Sequence, residues 1–439
     1  MDTTIADILK KRAFIPFFVT QFFGAFNDNA FKFAMLTLIS YHLSTSQLQS
    51  ELFQALAGAL FIIPFFFFSA TAGQLADKYN KTELTRVIKM FEVLLVVGGG
   101  IALYRGNTWF LMLTLTGMGI HSAFFGPIKY AILADLLPRS QLLGATALIE
   151  ASTFLAILVG TILGTISVGG VKTGSLCAIT LTVSAAVVGL ISSFFIPPAK
   201  SVATDLRVEW NVWRSTKKMI KTVVLNPRIA PAIGAISWFW LIGAVMLTKL
   251  PDYTNYVLRA DASVFAVFLA LFSIGIAIGS MIINHWLAGQ ITLRYVPQTM
   301  LLLSLFVGDL YWASPVHMSA EPLQSLITFF SQLRHWRIAL DIFLLAVSSG
   351  LFLVPLHTYL QVVSQGDMRS QTLAANNIVN ALFIVIGSGL VMILLHLHVA
   401  IAVVFLVLAL LNGLVALMFW CVFLKKADFI YQTKCDSLA

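Results

Sequence analysis

Charged residues are scarce in this sequence, and their scarcity excludes most soluble folds. They make up 11% of the 439 residues, against 59% hydrophobic residues, and the mean hydropathy is +0.90. A soluble globular domain carries roughly a quarter charged residues. The three cysteines, Cys177, Cys421 and Cys435, are far apart, so they form neither a disulfide framework nor a metal-binding spacing. The composition indicates an integral membrane protein, and we expect no metal and no cofactor.

Motifs of the common enzyme classes are also missing. The chain has no Gly-x-Ser-x-Gly, His-Glu-x-x-His or P-loop pattern. The pair nearest to an acyltransferase His–Asp motif, His335 and Asp341, is one residue too far apart and falls on the predicted outer side of the membrane. We therefore expect a protein that is not an enzyme and has no catalytic residues.

Twelve long apolar stretches run along the chain. About 20 apolar residues suffice for a helix to cross a bilayer, and these stretches do not alternate as barrel strands would. They lie near residues 13–42, 51–76, 84–104, 108–134, 141–168, 173–196, 229–257, 262–287, 294–312, 338–363, 371–395 and 398–424. The predicted fold is an all-α membrane protein with 12 transmembrane helices.

Basic residues are unevenly divided between alternate loops. With a cytoplasmic N-terminus, twenty of the 28 Lys and Arg residues, Lys89 among them, fall in inner segments and five in outer ones. Cytoplasmic loops carry such an excess, so both termini are predicted to be cytoplasmic. The first apolar run is too long for a cleaved signal peptide. The net charge of +9 then reflects membrane topology, and we expect no nucleic acid partner.

The longest polar inner segment, 197–228, separates six predicted helices from six. We predict an N-terminal bundle over 1–196, a cytoplasmic linker over 197–228 and a C-terminal bundle over 229–439. The linker pattern predicts an amphipathic helix on the anionic inner leaflet, an interpretation that is compatible with a simple tether between the halves. The apolar positions of that helix are Trp210, Trp213, Ile220 and Val224. A second amphipathic stretch, 323–333, is expected on the outer leaflet.

The two halves share a pattern. Pro127 of the fourth predicted helix and Pro355 of the tenth are each followed, after one loop, by Arg-Ser-Gln, at 139–141 and 369–371. With the prolines aligned, Lys129 falls on His357. Parallel repeats of this kind occur in transporters whose halves are related by an axis along the membrane normal. The sequence thus predicts two pseudo-symmetric six-helix bundles.

The segment from Gly73 to Lys81 resembles the signature loop of the major facilitator superfamily. That loop has the pattern Gly-x-Leu-x-Asp-Arg/Lys-x-Gly-Arg/Lys, and Asn80 stands here where glycine is usual. Asparagine still tolerates a left-handed turn. The resemblance implies the major facilitator fold over the whole chain and a gating role for Gly73, Asp77, Lys78 and Lys81.

Within that superfamily, the chain resembles the lysophospholipid transporters and the transporter portion of their fused acyltransferase relatives. The resemblance is carried by Gln21-Phe22-Phe23-Gly24-Ala25-Phe26-Asn27-Asp28-Asn29, by residues 127–133 and by Glu150-Ala151-Ser152-Thr153. It implies movement of lysophospholipids from the outer to the inner leaflet of a bacterial inner membrane, by alternating access. A separate cytoplasmic acyltransferase would then reacylate them. The other expected partners are membrane lipids, and we expect a monomer.

Charged residues inside the predicted spans are the candidate substrate-binding residues. A charge at bilayer depth is costly and normally faces a protein interior or a wet cavity. In the superfamily, helices one, four, seven and ten line the cavity, and here they carry one ionisable candidate each. The full candidate set is Asp28, Asn29, Lys129, Glu150, Lys249 and His357. We expect Asp28 to meet an ammonium or a hydroxyl, and Lys129 or Lys249 to meet a phosphate.

Each candidate also has a structural interpretation. Asp28 could pair with Lys32, which lies on the same helix face, and Lys129 could pair with Glu150. Lys249 could be solvated near the outer surface, and His357 could be a packing residue. The alternative function is a proton-coupled exporter of a drug, a siderophore or another small amphiphile, because a fold does not fix its cargo. Asp28 and Glu150 would then carry the proton.

Overall fold

The computed structural model describes residues 5–168, 174–199, 203–315, 323–397, 399–425 and 430–431. Within them lie twelve long helices, one in each predicted span, which confirms an all-α membrane protein and agrees with the predicted number of transmembrane helices. They are Ile15–Leu38 (α1), Gln47–Lys78 (α2), Lys81–Arg105 (α3), Thr108–Ala131 (α4), Arg139–Ile166 (α5), Gly174–Phe194 (α6), Ala230–Asp252 (α7), Ala262–Leu287 (α8), Val296–Ala313 (α9), Leu333–Val363 (α10), Arg369–His396 (α11) and Ile401–Lys425 (α12). The terminal residues 1–4 and 432–439, predicted to be cytoplasmic, lie outside the described part.

Ten of these helices are long and apolar enough to cross a membrane by length and composition alone. The two others are α1, which carries an acid, a base and two asparagines in its middle, and α9, an 18-residue helix that includes Gln298 and Asp309. Both lie where the sequence predicts a span. A polar interior of this kind needs partners on neighbouring helices, because lipid offers none.

Local sequence explains where several helices begin and end. Asn80 and Asn107 cap α3 and α4, each accepting a hydrogen bond from a backbone N–H of the first turn. Gly106 ends α3 with φ 62°, a left-handed conformation that glycine adopts without strain. The two Arg-Ser-Gln repeats occupy equivalent places, since Arg139 begins α5 and Arg369 begins α11.

The chain forms two compact units. The first comprises Met1–Asn226 and Leu360–Ala381, and the second comprises Pro227–Tyr359 and Leu382–Ala439. In the first unit, α1 packs against α5 and α6, α2 against α4, and α3 against α4 and α6. The helices α1 and α5 approach closely because α5 has glycine at the crossing. A Cβ at Gly160 would lie 2.5 Å from the carbonyl oxygen of Phe26.

The second unit is built around the packing of α9 on α12. Asn412 of α12 stabilises this contact, since its Nδ2 donates to the carbonyl oxygen of Met300 at 2.8 Å and its Oδ1 accepts from Trp238 Nε1 at 2.9 Å. Buried polar groups in a membrane protein need such partners. A short antiparallel pair joins β1 (Ile291–Thr292) to β2 (Ile430–Tyr431).

Two shorter helices lie in the amphipathic segments. In the linker, the helix Val212–Val224 packs on α2 and buries Met219 and Val223, while Trp213 is 75% exposed. In the second segment, the helix Leu326–Phe330 buries Phe329, which stacks on His335, and leaves Ile327 85% exposed. Exposed tryptophan and isoleucine side chains fit contact with lipid, which stays a prediction for both segments.

Candidate functional site

A cavity of about 330 Å³ lies within the first unit. Its charged groups come from α1 and α4, and its apolar side comes mainly from phenylalanine. The lining residues are Gln21, Gly24, Ala25, Asp28, Asn29, Lys32, Phe61, Phe65, His121, Ser122, Phe125, Gly126, Lys129, Tyr130, Thr153, Ile157 and Asn377. Three of the predicted binding residues, Asp28, Asn29 and Lys129, therefore line one cavity.

The two charges of α1 do not pair with each other. Asp28 Oδ2 accepts a hydrogen bond from Ser122 of α4 at 2.6 Å, and Asp28 Oδ1 has no hydrogen-bond partner among the described residues. The Lys32 ammonium lies over aromatic rings instead, 5.7 Å from the ring centre of Phe61 and 5.9 Å from that of Phe33. Asp28 and Lys32 therefore make no direct ion pair, although the charge of Asp28 acts on that of Lys32, and both charges face the cavity.

Lys129 begins a chain of hydrogen bonds across α4, α5 and α1. Its ammonium donates to Thr153 Oγ1 at 2.7 Å, and the Thr153 hydroxyl bonds Gln21 Oε1 at 3.1 Å. Gln21 Nε2 in turn donates to Ser152 at 2.5 Å. The ammonium thus donates a hydrogen bond to a neutral hydroxyl, and it also lies 5.1 Å from the ring centre of Tyr130. A cation held in this way retains donors for an anionic ligand.

Glu150 is buried behind this part of the cavity. It accepts a hydrogen bond from the Tyr130 hydroxyl at 2.6 Å, and Tyr130 itself lines the cavity. The carboxylate of Glu150 acts on Lys129 through its charge, while the hydrogen bond of Lys129 goes to Thr153. Asn29 is a neutral member of the lining, and its amide donates to the carbonyl oxygen of Ala25 at 2.8 Å.

A second charged cluster is buried beside the cavity. Lys89 and Glu92 of α3 form an ion pair at 2.5 Å, and both side chains are at most 1% exposed. Glu92 also contacts His121 Nε2 at 3.2 Å and accepts from Asn27 Nδ2 at 2.8 Å. Lys89, which the sequence placed in an inner segment, is thus a buried residue of α3. A charge surrounded by protein in this way needs an opposite charge beside it.

The remaining predicted binding residues belong to the second unit. Lys249 is 4% exposed and its ammonium lies 2.8 Å from Asp252, so the interpretation of a solvated Lys249 is wrong. His357 is 3% exposed within α10. Their roles in substrate binding stay predictions.

The predicted gating residues surround the start of α11. Asp77 accepts hydrogen bonds from the backbone N–H groups of Ser370 at 2.8 Å and Gln371 at 3.0 Å. Gly73 lets α2 approach there, because a Cβ at Gly73 would lie 2.7 Å from that of Ala374.

Basic residues form further contacts near the start of α11. Lys81 and Arg369 both pair with Asp135, at 2.8 Å and 3.1 Å. Lys78, the fourth predicted gating residue, lies over the ring of Tyr79, 5.6 Å from its centre. Three of the four residues predicted from the signature loop, Gly73, Asp77 and Lys81, therefore belong to one contact region within the first unit.

Sequence reasoning assigned no role to several neutral groups of the cavity. Ser122, Thr153 and Asn377 line it, and the first two hold the charged residues Asp28 and Lys129. The only signal for Thr153 was its place beside Glu150 in a family motif. His121 also lacked a signal, since the residue it contacts, Glu92, lies on another helix.

Membrane-spanning helices around a cavity that holds charges of both signs define a multi-pass membrane protein of the transporter type. Residues 17–320 match the Major Facilitator Superfamily, and the chain belongs to that superfamily.

Curated relatives and solved structures agree with this assignment. The lysophospholipid transporter LplT of Photorhabdus laumondii subsp. laumondii is 26% identical over 365 residues, which cover 82% of each chain. The protein of the same name from Escherichia coli strain K12 / DH10B is 28% identical over 347 residues, or 78% of each chain.

Two solved structures share the fold at low sequence identity. The human organic anion transporter MFSD10 superposes with a TM-score of 0.70 at 12% identity, over 94% of this chain and 98% of its own. The proton:xylose symporter XylE superposes with a TM-score of 0.72 at 11% identity, over 93% and 95%. At such identities the likeness concerns the fold alone.

Proposed function

We propose that this chain transports lysophospholipids from the outer to the inner leaflet of a bacterial inner membrane, by alternating access. The observation that carries the proposal is the cavity of the first unit, where one carboxylate and two ammonium groups lie beside phenylalanine rings. A lysophospholipid combines a phosphate, a polar substituent and one acyl chain. The charged and apolar surfaces of the cavity match these parts of the molecule. The curated relatives at 26–28% identity are named lysophospholipid transporters.

The polar residues have distinct roles in this proposal. Asp28 receives the ammonium or hydroxyl of the headgroup, because one of its oxygens has no partner among the described residues. Lys129 receives the phosphate, because in the structure its ammonium donates a hydrogen bond to a neutral hydroxyl and not to a carboxylate. Asn29 contacts the substrate beside Asp28. Glu150 supplies a negative charge behind Lys129, and its carboxylate accepts the hydrogen bond of Tyr130. Lys249 and His357, which belong to the second unit, stay predicted substrate-binding residues of that unit.

Alternating access requires a contact that forms and breaks during the cycle. We assign this gate to Gly73, Asp77, Lys78 and Lys81, because Asp77 holds the first backbone N–H groups of α11 and Lys81 pairs with Asp135. Hydrogen bonds from a helix terminus to a carboxylate are strong enough to hold such a contact and weak enough to open.

The cellular setting follows from this function. Both termini and the linker would lie in the cytoplasm, where a separate acyltransferase consumes the lysophospholipid that the transporter delivers. The protein would act as a monomer. No catalytic step of its own is required.

The function is tested by uptake of a labelled lysophospholipid into membrane vesicles that contain the protein. Uptake above that of vesicles without the protein, and unaffected by a proton uncoupler, supports the proposal.

The second candidate is proton-coupled export of another small amphiphile, which is favoured by the carboxylates Asp28 and Glu150 in and beside the cavity. No lysophospholipid uptake, together with proton-dependent transport of a dye or a siderophore, would decide for that candidate.

A further inference from the structure

The helix Val212–Val224, called the linker helix below, has three faces that the proposed function does not use. The residues that it buries against α2 recur every four positions and are Ser215, Met219 and Val223. Trp213 and Val224 are eleven residues apart, which is about three turns, so both leave the helix on a second side. Their side chains are 75% and 62% exposed there. This second face is apolar and is not covered by α2.

Basic residues occupy the third face, beside the apolar one. They are Arg214, Lys217, Lys218 and Lys221, and all four are exposed. No ion pair within the described part of the chain involves them. A helix with one apolar and one basic exposed face fits the surface of an anionic membrane, where the apolar face meets acyl chains and the basic face meets headgroups.

Contacts with α2 place the linker helix near the membrane surface. The ring of Trp213 lies 5.8 Å from that of Phe67, and Thr216 Oγ1 donates to the carbonyl oxygen of Phe66 at 3.4 Å. The 32 residues of α2 are about 48 Å long, whereas the hydrocarbon core of a bilayer is about 30 Å thick. The last turns of α2 therefore extend beyond the hydrocarbon, and Phe67, about 16 Å before Lys78, lies close to its boundary. Tryptophan is enriched at that boundary.

The linker is also bonded to the signature segment of α2. Gln74 Nε2 donates to Ser215 Oγ at 2.5 Å, and Gln74 Oε1 accepts from the backbone N–H of Glu209 at 2.8 Å. The backbone N–H of Ala203 donates to the carbonyl oxygen of Asp77 at 3.1 Å. The carboxylate of Asp77 in turn accepts from the first N–H groups of α11. The linker thus holds the end of α2 at the residue that contacts α11.

We infer that the linker helix binds anionic lipid headgroups at the membrane surface, and that Gln74 couples this binding to the gate at Asp77. The partner is a lipid surface, because an acidic protein would match the basic face but would leave the apolar face of Trp213 and Val224 in water. When the helix is bound to the lipid, its hydrogen bonds hold the end of α2 against α11. The coupling rests on the gate proposed above, whereas the binding surface does not.

The binding surface is tested with a fluorophore on a single introduced cysteine in the full-length protein, in a background without the native cysteines. The protein is placed in phosphatidylcholine nanodiscs with or without phosphatidylglycerol. Val224→Cys carries the label on the apolar face. Thr222→Cys, about 200° around the helix at an exposed position, is the matched control. A nitroxide lipid should quench the Val224→Cys label more strongly in the anionic nanodiscs, and a water-soluble quencher should reach the Thr222→Cys label in both.

Charge variants test whether this gain is electrostatic. A lysine near an anionic surface strengthens binding about fivefold, so Lys217→Gln with Lys221→Gln should remove most of the gain in quenching. Lys10→Gln with Arg12→Gln removes the same charge at two other exposed positions and should leave the gain unchanged. Equal quenching of the Val224→Cys label by the nitroxide lipid in neutral and anionic nanodiscs would overturn the binding surface. So would stronger quenching of that label by the water-soluble reagent.

The coupling is tested by the rate of alkylation of Thr372→Cys in the first turns of α11. Phosphatidylglycerol should slow this reaction several-fold, because the bound linker holds α2 against α11. Gln74→Met has a side chain of similar length but loses both hydrogen bonds to the linker. It should abolish the dependence on phosphatidylglycerol while the Val224→Cys label is still quenched. An alkylation rate that does not depend on phosphatidylglycerol with native Gln74, or depends on it equally in Gln74→Met, would overturn the coupling.

The gate and this inference fail in different ways. If Asp77→Ala leaves the alkylation of Thr372→Cys unchanged, the proposed gate is wrong and the coupling falls with it, while quenching still decides the binding surface. If Asp77→Ala speeds alkylation and phosphatidylglycerol has no effect on the native linker, the gate stands and the coupling is wrong. None of these measurements uses a lysophospholipid, so a different transported substrate would leave their outcome unchanged.

Discussion

Asp77 at the end of α2 caps the first turn of α11, through hydrogen bonds from the N–H groups of Ser370 and Gln371. The side chain amide of Gln371 adds a third bond to Asp77 Oδ2 at 3.2 Å. The first four N–H groups of a helix have no partner within it, and an acidic side chain also interacts favourably with the positive end of the helix dipole. Asp77 and residues 360–381, which include this first turn, belong to the same unit.

Asp77→Ala should release the start of α11 from α2. The loss of a cap costs about 0.5–2 kcal/mol, so the contact opens more often without unfolding the protein. The measurement is the rate of alkylation of a single cysteine introduced by Thr372→Cys, in a background without the native cysteines. The Thr372 side chain is 5% exposed. We expect faster labelling and altered transport. Glu83→Ala, an exposed acid on α3, is the control and should change neither. Unchanged labelling together with unchanged transport would exclude a gate at Asp77.

Gly73→Ala should disturb the same contact sterically. Its Cβ would lie 2.7 Å from the Cβ of Ala374 and 2.9 Å from the Cα of Gln371, so α2 and α11 must move apart. We expect loss of transport and a lower unfolding temperature. Adding Ala374→Gly removes the first clash and should restore part of the loss, while Gly58→Ala, with open space around it, is the matched control. If Gly73→Ala behaves like Gly58→Ala, close packing at Gly73 is not required.

The sequence predicted the helices well because membrane spans have a strong and simple signal. A run of apolar residues long enough to cross the bilayer has few other structures available, so each predicted span contains a helix. The charges inside the spans were informative for the same reason. Asp28 and Lys129 are costly in lipid, and both line the cavity.

The contacts of these charges could not be predicted from the sequence. Ser122 and Thr153 are small polar residues, and such residues in membrane helices commonly bond a carbonyl of their own helix, as Thr153 itself does with Ile149 and Thr165 with Thr161. Nothing in the sequence shows which of these residues also bond a charged side chain on another helix. The three-residue spacing of Lys249 and Asp252 did not lead to a prediction of their ion pair, and the contact of His121 with Glu92 depends on how α3 and α4 pack.

Glu92→Gln should destabilise the first unit strongly. The change leaves the buried ammonium of Lys89 without its carboxylate, and breaking a buried pair in this way costs about 3–5 kcal/mol. Thermal unfolding of the purified protein should show a large decrease in unfolding temperature. The double variant Lys89→Met with Glu92→Gln should recover much of it, because the unpaired charge is gone and the introduced amide oxygen would still accept the hydrogen bond of Asn27. A single variant as stable as the wild type would show that Lys89 has another partner.

Lys129→Ala should weaken lysophospholipid binding about ten- to a hundredfold, because a phosphate that leaves water needs a fixed cation. Thr153→Val removes the hydroxyl that the ammonium contacts at 2.7 Å but keeps the charge of Lys129, so it should have a much smaller effect on affinity.

The competing interpretation is a structural pair of Lys129 with Glu150. In that case Lys129→Ala would lower the unfolding temperature, and adding Glu150→Gln would repair it with little change in affinity. Since the hydrogen bond between Glu150 and Tyr130 does not involve Lys129, we expect no such repair. Full recovery of stability and binding in the double variant would exclude the phosphate role of Lys129.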